Sequence, residues 1–435
     1  MAVVFAAGGS VATVHLLTTL LAWFAGPVTA WYAAKRMSSV VAIAIGVVVS
    51  SHALNIGLGD TLLSEPLFTL MILLFALFID RWGNRDSLKI AFLAGGLAAI
   101  CFSLRSIGVA VWAGLLLGTL FRQSPRWPRR LVLCLATSVL PACYLVVVSL
   151  LRARPEAPSD AGYASQLFVI GTDRSKWLPL AFVERLLRDA GEHFTNLLAS
   201  LSPVHTEPGP VVLVITLMTL AVMALATVGW LRCFPGNRCV LAWTILCYLG
   251  VVFIWPHFYP RFTWPIVPLL YVFAIETLGG CVRDEESVTT SKRRLVTVCL
   301  LIGVALSAWL HNLNRPPLHR DQRAALMEAI VTATDYIRTQ DNSPAPVIAT
   351  LSDLETHYYL PQAKVVLMQG PFDDYVCDPA EQWKRIREND VRWVLSGPGL
   401  TRYLEPLAKR HGDALQLVFE TPDIRVWQVA RTDGH

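Results

Sequence analysis

The sequence predicts a polytopic α-helical membrane protein of about ten spans that ends in an exoplasmic α/β domain. Three observations carry that expectation. Apolar stretches long enough to cross or nearly cross a bilayer fill residues 1–310, where about 20 apolar residues make a spanning helix. Charged residues number 38 among the first 310 positions and 31 among the last 125, so the solvent for which the chain is built changes near residue 310. The third is the composition: 54% hydrophobic residues, 14 Trp and a mean hydropathy of +0.49 lie outside the range of soluble domains.

Spans are expected near residues 11–33, 39–57, 62–79, 90–104, 107–121, 131–151, 211–231, 239–255, 264–282 and 295–310. Alternate connections hold fifteen cations: Lys35 and Arg36; Arg81, Arg85 and Lys89; Arg122, Arg126, Arg129 and Arg130; Arg232 and Arg238; Arg283, Lys292, Arg293 and Arg294. The short connections of the other set hold only Arg105 and Arg261, and the positive-inside bias assigns that set to the outside. The 152–210 loop and the 311–435 domain follow it there, in a multi-pass protein of the inner (plasma) membrane. Residues 1–10 contain no cleavable signal of the usual pattern.

Inside the long loop, Phe182, Val183, Leu186, Leu187, Ala190, Phe194, Leu197, Leu198 and Leu201 recur at helical spacing. Glu184, Arg185, Arg188, Asp189, Glu192 and His193 occupy the other side. The pattern predicts an amphipathic helix that rests its apolar face on the membrane surface or on the protein's own outer part.

The tail alternates expected helices (321–340, 353–359, 379–389, 401–410) with expected strands (346–350, 364–368, 391–396), then closes on strands 416–420 and 424–429 joined by the turn Thr421-Pro-Asp-Ile424. That order implies a mostly parallel sheet covered on both faces, with an antiparallel pair at its end. It carries no GxGxxG, Walker or GxSxG motif, so no phosphate cradle or nucleophile is advertised there. The net charge of +5 divides into about +8 on the membrane part and −3 on the tail, which argues against a nucleic-acid partner. One tail thiol, Cys377, and the absence of CxxC exclude a disulfide framework and a cysteine metal site.

Ionisable groups near a bilayer are costly and tend to mark function. Asp60 and Glu65, in GLGDTLLSEPLF, place two carboxylates at the outer mouth of the third expected span. Arg105 stands between two short apolar runs, and Arg261 follows His257-Phe-Tyr259-Pro ahead of another span. Carboxylates beside guanidinium groups suit a reaction of a lipid-linked phosphosugar: a carboxylate deprotonates the attacking hydroxyl while Arg holds the departing phosphate. A bland reading competes at each position. Ser64-Glu65-Pro66 also suits a helix start, and the arginines could be interfacial anchors, Arg261 among Tyr259, Phe262 and Trp264. Tyr259 and His205, the latter in SPVHTE, are further candidates for touching substrate. Asp353, Glu355 and His357 read as a solvated surface. No cofactor is implied, and whether a divalent metal takes part is left open.

The stretches DTLLSEPLFTLMILLFALFIDRW (from Asp60), GGLAAICFSLRSIGV (from Gly95) and YPRFTWPIVPLLYVFAI (from Tyr259) resemble the GT-C superfamily of membrane glycosyltransferases, in particular the protein O-mannosyltransferase and aminoarabinose-transferase type. The resemblance implies sugar transfer from a polyprenyl-phosphate donor to a lipid, glycan or protein acceptor on the outer face of the cell envelope. It implies catalytic roles for Asp60 and Glu65, and donor contacts for Arg105 and Arg261. In the family a first span and a large first outer loop with an acidic catalytic group precede the region where this chain starts, and no acid occurs here before Asp60, so either an upstream segment is missing or this chain departs from the family's catalytic pattern. Competing expectations are a catalytically inactive scaffold of the same fold, a lipid-linked glycan ligase or polymerase, and a transporter; the halves show no internal repeat of the kind transporters carry.

Overall fold

The computed structural model describes residues 11–59, 64–82, 85–122, 126–152, 178–202, 210–235, 238–254, 260–278, 297–299, 301, 303, 318–341, 343–350, 360, 362–367, 379–397, 404–405 and 407–430. The chain divides into two compact units, Met1–Asn314 and Arg315–His435.

The first unit is helical. Its described helices are α1 (Val11–Ala34), α2 (Ser39–Ser51), α3 (Ala53–Gly59), α4 (Glu65–Trp82), α5 (Leu88–Leu104), α6 (Val109–Leu120), α7 (Trp127–Arg152), α8 (Leu178–Leu201), α9 (Pro210–Leu231), α10 (Cys239–Ile254) and α11 (Val267–Thr277). Two of them, in α1 and α7, are long and apolar enough to cross a bilayer, and six other apolar helices among the described residues are shorter. The expected span at 39–57 is two helices. His52 takes an extended conformation and ends α2, and its Nδ1 accepts the Leu54 amide to start α3. Most of the tenth expected span lies outside the described residues.

Small residues let these helices approach. Gly114 and Gly118, one turn apart on α6, face Thr244 and Val240 of α10 so closely that an added Cβ would sit 2.2 Å and 2.3 Å from their Cα atoms. Gly26 and Gly46 do the same for α1 against α2. Close backbone approach of this kind drives helix association where lipid offers no hydrophobic gain. The core so formed is built around Tyr32, Phe68, Phe75, Tyr248, Trp264 and Phe273. Large apolar side chains such as Trp23, Trp31, Leu135 and Leu150 point outward, as a lipid solvent permits.

The ends of the helices differ in chemistry. Arg36 pairs with Asp80 and stacks over Tyr32, Arg122 pairs with Asp86 at 3.4 Å, and Arg238 makes a two-pronged pair with Glu276 at 2.7 Å for each bond. These ion pairs belong to the cation-rich connections. Along α4 the chain runs from Glu65 at one end to Asp80 near the other, about 22 Å at 1.5 Å per residue.

The second unit is a five-stranded sheet of order β2-β1-β3-β5-β4, with β1 (Val347–Thr350), β2 (Lys364–Leu367), β3 (Trp393–Ser396), β4 (Leu415–Glu420) and β5 (Arg425–Val429). β1 pairs in parallel with β2 and β3, whereas β5 pairs antiparallel with β3 and β4. Alternation along the strands divides the core. Ile348, Trp393, Leu395 and Val426 meet Ala329, Ile330, Ala333 and Ile337 of α12 (Leu318–Gln340). Ala349, Val394, Leu415 and Trp427 meet Ile386 of α13 (Pro379–Glu388) together with Leu404 and Leu407. Just beyond α12, the Asp341 carboxylate accepts the Trp393 indole N–H at 2.6 Å and the Ser343 amide at 2.9 Å, and lies 3.3 Å from Arg392. The expected short helix at 353–359 lies outside the described residues.

Candidate functional site

Glu65 opens α4. The Ser64 carbonyl accepts the Phe68 amide at 2.9 Å, which puts Ser64 at the cap and Glu65 and Pro66 in the first turn, where a missing N–H costs nothing and a negative charge meets the positive end of the helix dipole. Its side chain is nonetheless 3% exposed, so the helix start is sunk into the unit.

Arg105 ends α5. Its backbone is extended (φ −152°, ψ 140°), and the chain then turns through Ser106–Gly108 into α6. That turn needs glycine: a Cβ on Gly108 would meet the Cys101 carbonyl oxygen at 2.3 Å. The turn swings the Arg105 guanidinium onto Glu65, Nη1 to Oε1 at 2.5 Å.

Arg261 lies in the single 3-10 turn Pro260–Phe262, a second such turn (Trp264–Ile266) leading into α11. Its Nε is 3.8 Å from the same Glu65 Oε1. Phe262 is shared, with each guanidinium carbon 5.2 Å from its ring centre. One buried carboxylate thus meets two guanidinium groups from two other parts of the chain, and the three side chains together carry one net positive charge. A planar, cationic, fork-like donor set of this kind matches a phosphate oxygen face.

The structure therefore brings Glu65, Arg105 and Arg261 together. Asp60, His205 and Tyr259 lie outside the described residues. Among the described residues no group of three or more His, Cys, Asp or Glu side chains is placed to hold a metal ion.

Residues 201–350, which run from the end of α8 through the Arg261 turn into the second unit, match the model of the Alg9-like mannosyltransferase family. The match covers 150 of the chain's 435 residues and supports a membrane glycosyltransferase of the GT-C superfamily. It covers Arg261 and leaves Glu65 and Arg105 upstream. A crystal structure of the Archaeoglobus fulgidus oligosaccharyltransferase, in complex with Zn and sulfate, is similar with a TM-score of 0.41 and 11% identity, over 95% of this chain and 60% of that one. The chain thus spans about 60% of the length of that protein. No curated protein matches it.

Several polar residues of this unit were not singled out by the sequence. His52 is fully buried, with its ring 4.5 Å from that of Trp264, the residue that follows the Arg261 turn by three. Asn55 donates to the Ala22 carbonyl at 2.9 Å from a buried position. Their one sequence signal is that they are polar within an otherwise apolar run. The amphipathic helix mixes the two expected sides. Asp189 and His193, assigned to the polar outer side, are buried with Leu197, Ser200 and Leu201, while Val183, Leu187 and Phe194 are exposed. His193 rests on Phe253 of α10, ring centres 5.2 Å apart. The end of the helix is tied to the rest of the unit, with Ser200 Oγ donating to the Pro260 carbonyl at 2.9 Å and Tyr271 OH to the Leu201 carbonyl at 2.6 Å.

Proposed function

We propose that this protein transfers a sugar from a polyprenyl-phosphate donor to a hydroxyl of a lipid, glycan or protein acceptor at the exoplasmic face of the membrane. The observation that carries the reading is the convergence of Arg105 and Arg261 on the buried Glu65 at the cation-poor end of the helices. In the reaction the acceptor oxygen bonds to the anomeric carbon, the bond from that carbon to the phosphate oxygen breaks, and the polyprenyl phosphate leaves with the electron pair. Two guanidinium groups, which with Glu65 carry one net positive charge, are suited to hold that phosphate.

The two carboxylates divide the work. Glu65 is 3% exposed and engaged by both arginines, so taking a proton would cost it its ion pairs. Its role is to fix the guanidinium groups. Asp60, which precedes it on the same connection, is the proposed acceptor of the hydroxyl proton. The exoplasmic placement of this end rests on the distribution of Lys and Arg among the connections.

The test is transfer by the full chain in membranes, with polyprenyl-phosphate mannose as the first donor because the matching family is one of mannosyltransferases. Glu65→Gln and Arg105→Ala should each reduce transfer at least tenfold with membrane insertion intact, while Asp60→Asn should abolish turnover. Unchanged rates in both Glu65→Gln and Arg105→Ala would remove the cluster from the site.

A further inference from the structure

We infer that Ser200, Thr263 and Tyr248 are positioning residues for Arg261, forming a hydroxyl latch that sets how the guanidinium is offered to a phosphate; this rests on the proposed role of Arg261 in donor binding.

The Arg261 turn has little regular structure of its own. It is one 3-10 turn between a segment outside the described residues and the start of α11, so its shape must be imposed by what its backbone bonds to. The two carbonyls that flank Arg261 are both tied to hydroxyl donors. The Pro260 carbonyl accepts from Thr263 Oγ1 at 2.8 Å and lies 2.9 Å from Ser200 Oγ, and the two hydroxyls touch one another. The Phe262 carbonyl accepts from Tyr248 OH at 2.7 Å. Ser200 sits at the end of α8, Tyr248 in the middle of α10 and Thr263 beside the turn, so three parts of the chain close on it. All three side chains are buried. A fourth bond, from Tyr271 OH to the Leu201 carbonyl at 2.6 Å, ties the end of α8 to α11 and keeps Ser200 in place.

The hydroxyls cannot reach solvent, and the carbonyls they serve would be left without those donors if they were removed, so each bond holds the turn more firmly than an exposed one would. The turn carries Arg261 at 3.8 Å from Glu65, a longer separation than that of Arg105, and Arg261 is the more exposed of the two guanidinium groups. Arg261 is therefore the group whose position depends most on its backbone. Loosening the latch should weaken capture of the donor phosphate more than it slows the chemical step.

The experiment uses the full chain in lipid nanodiscs and two isosteric variants, Thr263→Val and Tyr248→Phe, which delete a hydroxyl and keep the packing. Each should raise the KM for polyprenyl-phosphate mannose roughly fivefold, as expected for one buried hydrogen bond, with kcat within about twofold. Thr263→Ser, which keeps the hydroxyl, should restore the wild-type KM. Independently of activity, phenylglyoxal should modify Arg261 faster in both variants than in the wild type, read by peptide mass spectrometry. Wild-type KM and wild-type labelling in both variants, or failure of Thr263→Ser to rescue, would overturn the latch. A fall in kcat at constant KM would overturn it too. A wild-type protein that transfers no sugar, with faster labelling in the variants, would sink the functional reading and leave the latch standing.

Discussion

Arg105 Nη1 lies 2.5 Å from Glu65 Oε1, and the carboxylate it meets is almost entirely withdrawn from solvent. A helix C-terminal arginine and a helix N-terminal glutamate, on neighbouring helices, thereby close one end of the bundle. Removing Arg105 leaves the buried Glu65 carboxylate with only the more distant Arg261, at 3.8 Å, and losing the closer half of a buried ion pair costs more than the pair itself contributes.

Arg105→Ala should therefore destabilise the protein by about 3 kcal/mol, with a clear drop in the unfolding temperature in detergent. The double variant Glu65→Leu/Arg105→Leu should recover more than half of that loss while remaining inactive in transfer. A double variant as unstable as the single one would show that the pair stabilises the fold in its own right.

Arg261→Lys keeps the charge and discards the planar fork. Its KM for a polyprenyl-phosphate donor should rise about tenfold, close to the effect of Arg261→Ala, because a point charge cannot reproduce paired hydrogen bonds to phosphate. Equal kinetics for Arg261→Lys and wild type would reduce the role of this residue to charge alone.

Gly114→Ile and Gly118→Ile should each prevent α6 from reaching α10, since even a Cβ would fall 2.2 Å and 2.3 Å from the Cα atoms of Thr244 and Val240. The expected readout is loss of the monodisperse peak in size-exclusion chromatography. Gly250→Ile on α10, where a Cβ would have open space around it, is the control and should elute as wild type.

Ser106 and Lys89 are exposed at opposite ends of α5. With the native cysteines removed, Ser106→Cys should react with an impermeant maleimide added to the exoplasmic side of sealed vesicles. Lys89→Cys should react only when the reagent reaches the cytoplasmic side. The reverse pattern would invert the orientation that the cation distribution assigns.

Trp393 N–H and Arg392 depend on Asp341, which is 5% exposed in its side chain. Asp341→Ala should leave the indole N–H without that acceptor and cost about 1–3 kcal/mol, seen as faster cleavage of the 315–435 unit by added protease while the helical unit stays intact.

The sequence by itself determined where most of the described helices and strands lie, because those signals are local, though it read 39–57 as one span where His52 divides two helices. Apolar runs of sufficient length, the change in charge density near residue 310, and alternating strands such as Val347–Thr350 and Trp393–Ser396 each act within a few turns of chain. It also marked Glu65, Arg105 and Arg261 as unusual charges near apolar segments. Only the tertiary structure decided that these three meet, since they are far apart in the chain and their approach depends on the Gly108 turn and on the hydroxyl bonds around Pro260 and Phe262. It also decided which face of α8 turns inward. The buried side of α8 holds Asp189, His193, Leu197, Ser200 and Leu201, with Ser200 bonded to the Pro260 carbonyl, whereas Val183, Leu187 and Phe194 are exposed. Local periodicity reports where apolar side chains fall on a helix; which of them are buried depends on the partners that distant parts of the chain bring to it.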